Sequence, residues 1–214
     1  MNLFIISSFI STFSPFVPLL IFWRTRKAQS HSMIYLATLL MVSFLADLVG
    51  MVNSLYFKID YINETVSYLY YFFAIALASV FYKAQFPTRF KNIFILSIVV
   101  FYSVYLYWLI ANPSIITRHE SKVPIGILLI AFTVSHFYAL MRKMPSIYIH
   151  RVAMFWIDSG LIIYSSGTII LFAISNYLFF VLKKDQLEYW IFHNLLNTTS
   201  SILIAMGFFR VTSK

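Results

Sequence analysis

Seven apolar stretches, each about as long as a bilayer is thick, occupy nearly all of this chain: residues 3–23, 33–53, 65–82, 92–111, 123–141, 153–179 and 189–209. A helix needs ~20 mostly apolar residues to cross hydrocarbon, because no water is present there and every backbone N–H and C=O must be bonded inside its own segment. The pattern leaves almost no sequence for a soluble body. It predicts an all-α integral membrane protein, with residues 1–214 forming a single seven-transmembrane helix bundle. Loops of roughly ten residues pack sequential helices antiparallel. Only 11% of the residues are charged, against ~25% in a soluble domain. No cysteine occurs, so disulfides, thiolate catalysis and thiolate metal sites are excluded.

The net charge of +9 does not point to nucleic acid, because the basic residues sort by membrane side. Eleven follow the odd-numbered stretches: Arg24, Arg26, Lys27, Lys83, Arg89, Lys91, Arg142, Lys143, Arg151, Arg210 and Lys214. Five lie in the opposite loops: Lys58, Arg118, Lys122, Lys183 and Lys184. Cytoplasmic loops carry the Lys/Arg excess. The N-terminus is therefore expected outside and the C-terminus in the cytoplasm, as an odd number of spans requires. The basic face suits anionic headgroups at the cytoplasmic surface. The first stretch has no basic region before its apolar run and no small-x-small cleavage site, so it reads as a span rather than a cleaved signal. The NET sequence at 63–65 is a glycosylation sequon with meaning only in a eukaryotic secretory pathway.

Within the first stretch, SPFVP at 14–18 predicts a kink, since proline removes a ladder hydrogen bond and crowds the preceding turn. Such a kink serves packing, or forms a hinge or cavity wall. Tyr105, Tyr107 and Trp108 read as an interfacial aromatic belt. Tyr68, Tyr70 and Tyr71 fit a belt or a ligand pocket.

Ionisable residues inside spans are costly and normally face the interior, pair, or line a polar cavity. Four lie well inside: Asp47, His136, Asp158 and His193. Asp47 falls roughly 21 Å above the inner end of its helix at ~1.5 Å per residue, with His193 at a similar height. His136 and Asp158 fall ~8 Å above the inner ends of theirs. The residues thus form an outer layer, Asp47 with His193, and an inner polar pair, His136 with Asp158. Layers ~13 Å apart cannot share one metal through bonds of about 2 Å, and either layer alone supplies two good ligands where zinc takes three or four. No metal site and no cofactor are expected.

His193, Asn194, Asn197 and Ser201 follow helical steps and form one polar stripe on the last span. Trp190 sits one turn above His193 on the same side. Asp158, Ser165 and Asn176 form a second stripe on the sixth span, flanked by Ser159, Gly160, Ser166 and Gly167. Small residues permit close helix approach, and hydroxyls and amides bond across it. The stripes read as a tight seam between the last two helices, or as a polar cavity bounded by spans 2, 3, 6 and 7.

FWIDSGLIIYSSG at 155–167, WIFHNLLN at 190–197 and AMGFFR at 205–210 resemble the multi-span membrane modules of Bacteroidetes-type bacteria. Some of these stand alone, and some precede sensor histidine kinases. The resemblance implies a bacterial inner-membrane protein with a sensory input role. It carries over no known ligand. The sequence ends at Lys214 with no phosphotransfer domain, so a signal would pass to a separate signalling protein, or the chain is an excised input module.

The functional expectation is a sensor or receptor-like module without catalytic residues. Its small-molecule site lies in the outer half of the bundle, lined by Asp47, Tyr68, Tyr71, Trp190, His193, Asn194 and Asn197, and the largest cavity touches at least His193 and Asn197. The alternative is a small-solute or proton transporter or channel, with the two His–Asp layers as a relay. A further alternative is an intramembrane metal-dependent hydrolase. Against it, the His-x-x-x-His of adiponectin-receptor-type zinc hydrolases is half present, His193 being followed by Asn197.

Overall fold

The computed structural model describes residues 2–57, 59–86, 91–111, 123–143, 148–177 and 186–211, with side chains left out at some of these positions. The described residues are almost all helical, with no strand among them. The helices are α1 (Asn2–Phe13), α2 (Phe16–Thr25), α3 (Met33–Val52), α4 (Asp60–Gln85), α5 (Lys91–Ala111), α6 (Val123–Lys143), α7 (Ala153–Asn176) and α8 (Gln186–Val211). Five helical segments among the described residues are long and apolar enough to cross a membrane: Leu3–Ala28, Met33–Phe57, Thr65–Gln85, Val123–Lys143 and Ala153–Ile174. Phe179, the expected end of the sixth stretch, lies outside the described residues. So do Lys58, Arg89, Arg118, Lys122, Lys183, Lys184 and Lys214, and the side chains of Lys91, Tyr105, Trp108 and Asn176.

The partition of residues is the reverse of a water-soluble fold. Asp158, Asn197, Ser11, Ser165, Ser201 and Thr133 are buried, while Ile6, Ile10, Phe13, Val17 and Leu20 stand exposed along α1 and α2. Apolar surface on this scale would aggregate in water. In a bilayer it faces lipid, and polar groups turn inward to find partners. The protein is an integral membrane protein.

The helices close into a ring. The α1–α2 unit packs on α3 and α8, α3 on α4, α4 on α6, α6 on α7, and α7 most extensively on α8. The ring encloses a core of Leu36, Leu40, Phe81, Tyr82, Ile157 and Phe208. α5 stands outside it, mainly against α4. There the Tyr102 hydroxyl donates to the Phe72 carbonyl at 3.1 Å.

Contact order fixes helix directions. Asn194 meets Ser7 and Ser8, Asn197 meets Ser11, Ser201 meets Ser14, and Phe208 packs on Phe22. Numbers rise together, so α8 runs parallel to α1–α2. α7 and α8 are antiparallel, with Ile157 against Gly207 and Phe172 against His193.

The expected kink in the first span is the break between α1 and α2. Pro15 has no N–H to give the Ser11 carbonyl four residues back. That carbonyl instead accepts from the Ser14 backbone N–H at 3.2 Å and the Ser14 hydroxyl at 2.8 Å. A second irregularity closes α3, where Asn53–Phe57 forms a π-helical turn. The Asn53 amide donates to the Ile59 carbonyl and to Asn63 Oδ1, both at 2.9 Å. The sequon asparagine thus belongs to the joint between α3 and α4.

Candidate functional site

Two polar clusters lie at different depths. The first is built on α8, where Asn197 Nδ2 donates to Asp47 Oδ2 of α3 at 3.1 Å and to Ser11 Oγ of α1 at 3.0 Å, with the Ser11 carbonyl at 3.4 Å. One amide thus joins three helices. Ser14 and Ser201 hydroxyls meet at 3.0 Å one turn further along, and Asn194 Nδ2 donates to the hydroxyls of Ser7 and Ser8, each at 3.2 Å. Tyr70 lies within hydrogen-bonding reach of Ser43 and Tyr164, and Tyr71 within reach of Tyr164.

Beside this junction His193 sits in an aromatic cage. Its ring centre lies 5.6 Å from Trp190, 6.0 Å from Tyr164 and 6.2 Å from Phe172. Tyr71 meets Phe172 edge-on at 6.1 Å. The expected residues Asp47, Tyr71, Trp190, His193, Asn194 and Asn197 therefore belong to one contiguous region. Asp47 takes its hydrogen bond from Asn197, and His193 takes its neighbours from rings. Tyr68 lines a cavity of about 220 Å³ among α4, α5 and α6.

The two cavities described lie away from the expected one at His193 and Asn197. A groove of about 510 Å³ lies between α4 and α5, lined by Phe72, Ser79, Lys83, Ile98 and Tyr102 among others, and neither it nor the Tyr68 cavity touches His193 or Asn197. Around Asn197 the packing is direct. Asn197 is only 8% exposed, and its donors are spent on Asp47 and Ser11. The Gly167 position abuts the Leu196 side chain, so α7 and α8 approach closely there. The stripe on α7 also behaves otherwise than expected. Ser159, Ser165, Ser166 and Thr168 each donate to the carbonyl four residues back on their own helix rather than across the seam. In hydrocarbon that carbonyl is the nearest acceptor.

The second cluster is the His136–Asp158 pair. His136 Nδ1 and Asp158 Oδ2 are 2.6 Å apart, with Asp158 fully buried. The structure thus puts the two residues in direct contact. The Tyr82 hydroxyl of α4 lies 3.0 Å from Asp158 Oδ1 and 3.2 Å from Thr133 Oγ1, while Thr133 donates to the Leu129 carbonyl. Both carboxylate oxygens are therefore engaged. Tyr82 and Phe86 pack against the imidazole at 5.7 and 5.9 Å. Gly207 abuts Ile157, which sets Asp158 level with that turn of α8. Asn197 lies ten residues back, about 15 Å along the axis. The two layers are distinct, as the depth argument requires.

Sequence reasoning missed Ser11, Tyr82 and Thr133. Ser11 carried a signal, because Pro15 four residues later frees its carbonyl. Tyr82 and Thr133 carried none, being one phenol among 15 tyrosines and a hydroxyl in an apolar helix. Among the described residues, no three of His, Cys, Asp and Glu converge as metal ligands. Comparison with known protein families, curated proteins and solved structures found no match.

Proposed function

We propose that this chain is a seven-span sensor module of a bacterial inner membrane, with its N-terminus outside and its C-terminus in the cytoplasm. It takes a small ligand at the aromatic cage around His193 and signals to a partner protein. The observation that carries the reading is that His193, inside the cage, lies one helical turn before Asn197 of the Asp47–Asn197–Ser11 junction on α8. A ligand among Trp190, Tyr164 and His193 would press on the one amide that holds α1, α3 and α8 together. Such a packed junction with a few discrete hydrogen bonds is an element two states can differ in. The ligand competes with existing packing, so binding and helix rearrangement are one event.

The seven-span count is supported by helix directions. The parallel pairing of α1–α2 with α8 requires an odd number of crossings. The five apolar segments together with α5 and α8 make seven. Residues such as His193, Asn194 and Asn197 make α8 polar for a span, yet it packs between α7 and α1–α2.

A second reading, proton transport, is favoured by the buried His136–Asp158–Tyr82 network, since such chains serve as relays. Liposomes containing the purified protein and an internal pH dye decide between the two. The sensor reading expects no proton flux. Flux that Asp158→Asn abolishes overturns it in favour of transport. For the ligand itself, a panel of small molecules is screened by thermal unfolding in detergent. A stabilising compound should lose its effect in His193→Ala and Trp190→Phe; one that stabilises these variants equally does not use the cage.

A further inference from the structure

Asp47 sits inside the α3 span, Met33–Val52. The ion pair described inside the bundle is His136–Asp158. Among the described residues Asp47 accepts from the Asn197 amide and has no cationic partner. A negative group in hydrocarbon needs a counter-charge as well as a donor. The neighbours of Asp47 supply oxygen instead.

Those oxygens converge. Asp47 Oδ2, Ser11 Oγ and the Ser11 carbonyl oxygen lie 3.1, 3.0 and 3.4 Å from one atom, Asn197 Nδ2. An amide nitrogen carries two hydrogens, so three acceptors around it are one more than it can serve. The Ser11 carbonyl belongs to this group because Pro15 brings it no N–H. In membrane transporters, carbonyls released where a helix breaks coordinate sodium. The Ser14 hydroxyl donates to that carbonyl at 2.8 Å, but it has Ser201 as a second partner at 3.0 Å and can turn to it. Ser11, Ser14, Asn197 and Ser201 are all buried. The spacings of the cluster are close to those between neighbouring oxygens around a cation with bonds of about 2.4 Å.

We infer that this junction is a binding site for one sodium ion, held by the Asp47 carboxylate, the Ser11 carbonyl and hydroxyl, and the Asn197 amide oxygen. The two ends of an amide are nearly equal in size, so a half-turn of the Asn197 side chain replaces donor by acceptor without repacking. The ion then takes over from the amide N–H groups as the tie between α1, α3 and α8. A donor set made only of oxygen selects a hard cation. One carboxylate balances one positive charge, whereas tight calcium sites gather several. Asn194 with Ser7 and Ser8 continues the polar lane towards the end of the bundle where α1 begins, which gives a small cation a route in. The site needs nothing from a ligand at His193, so the cage and the ion stand or fall separately.

Thermal unfolding of the full chain in detergent, in sodium, potassium, calcium or choline chloride at matched ionic strength, tests this. Sodium should raise the unfolding temperature saturably above choline, potassium should do so more weakly, and calcium should match choline. Asp47→Asn should weaken the sodium response about a hundredfold. Pro15→Ala gives the Ser11 carbonyl an N–H partner, so it should stay folded in choline yet need about tenfold more sodium. Ser159→Ala, on the far side of α7 from this cluster in sequence and bonding only its own helix, should respond as the wild type does. Equal stabilisation by sodium and choline overturns the site. So does a full sodium response in Asp47→Asn, or a calcium response larger than that of sodium. Should Asp47→Asn or Pro15→Ala unfold, binding of radioactive sodium to the wild type and to Ser11→Ala decides. Saturable binding of one ion per chain that Ser11→Ala weakens supports the site; no saturable binding, or binding that Ser11→Ala leaves unchanged, overturns it.

Discussion

Asp158 illustrates what a carboxyl group needs in the interior of a membrane bundle. Its oxygens are met from α6 by His136 and from α4 by Tyr82, so three helices share the cost of one buried acid. Removing one partner strands the other, which in a buried pair costs about 3–5 kcal/mol, whereas removing both is far milder. Asp158→Leu should therefore destabilise more than the double variant with His136→Leu, measured by thermal unfolding in detergent. Additive losses in that double-mutant cycle would show that the pair does not interact. Asn197 makes the corresponding prediction in the other cluster. Asn197→Ala leaves Asp47 and Ser11 without their donor and should cost about 1–3 kcal/mol. Asn197→Asp should be worse, because it sets a second carboxylate beside Asp47. A variant as stable as the wild type in both cases would mean the junction carries no energy.

At the scale of the helix, glycines decide how close α7 and α8 come. A methyl group at Gly160 would stand 2.9 Å from the Ser200 carbonyl oxygen, and one at Gly207 would stand 2.6 Å from Ile157 and 3.0 Å from the Ala153 carbonyl. Backbone cannot yield cheaply, so Gly160→Ala and Gly207→Ala should each cost about 1–3 kcal/mol. Gly167→Ala should be milder, since the Leu196 side chain can turn away. Gly50→Ala, with its nearest neighbour 3.9 Å away, should be neutral or gain up to ~1 kcal/mol of helix propensity. Unfolding temperatures that ignore this order would place the α7–α8 contact elsewhere. The seam was legible in the sequence through Gly160 and Gly167, and so was the His136–Asp158 contact through the depth of two ionisable residues. The aromatic cage was legible through Trp190 lying one turn from His193. What could not be read was whether Asp47 and Asn197 face a cavity or each other. A stripe of polar residues gives the face of a helix, but the gap between faces depends on side-chain volumes from helices distant in sequence.

At the scale of the molecule, charge and helix direction make one joint prediction. If α1–α2 and α8 both run inward, reporters fused after Arg26 and Lys143 should give cytoplasmic signals, and one after Lys184 an exterior signal. A cytoplasmic signal at Lys184 would break the sevenfold count and the parallel pairing together. The ring also explains why α5 could be spared from it. α4 and α6 touch directly through Tyr82 and Thr133, so the bundle closes without α5.

The pairing of the first span with the last has a consequence for biosynthesis. The Asp47 carboxyl group enters the bilayer early, while the amide that donates to it is translated some 150 residues later. Until α8 emerges, α3 holds an acceptor without its Asn197 donor, a feature that a quality-control protease or an insertion chaperone can recognise. The arrival of α8 is therefore a checkpoint: the buried acceptor on α3 is covered only when α8 slides in beside α1.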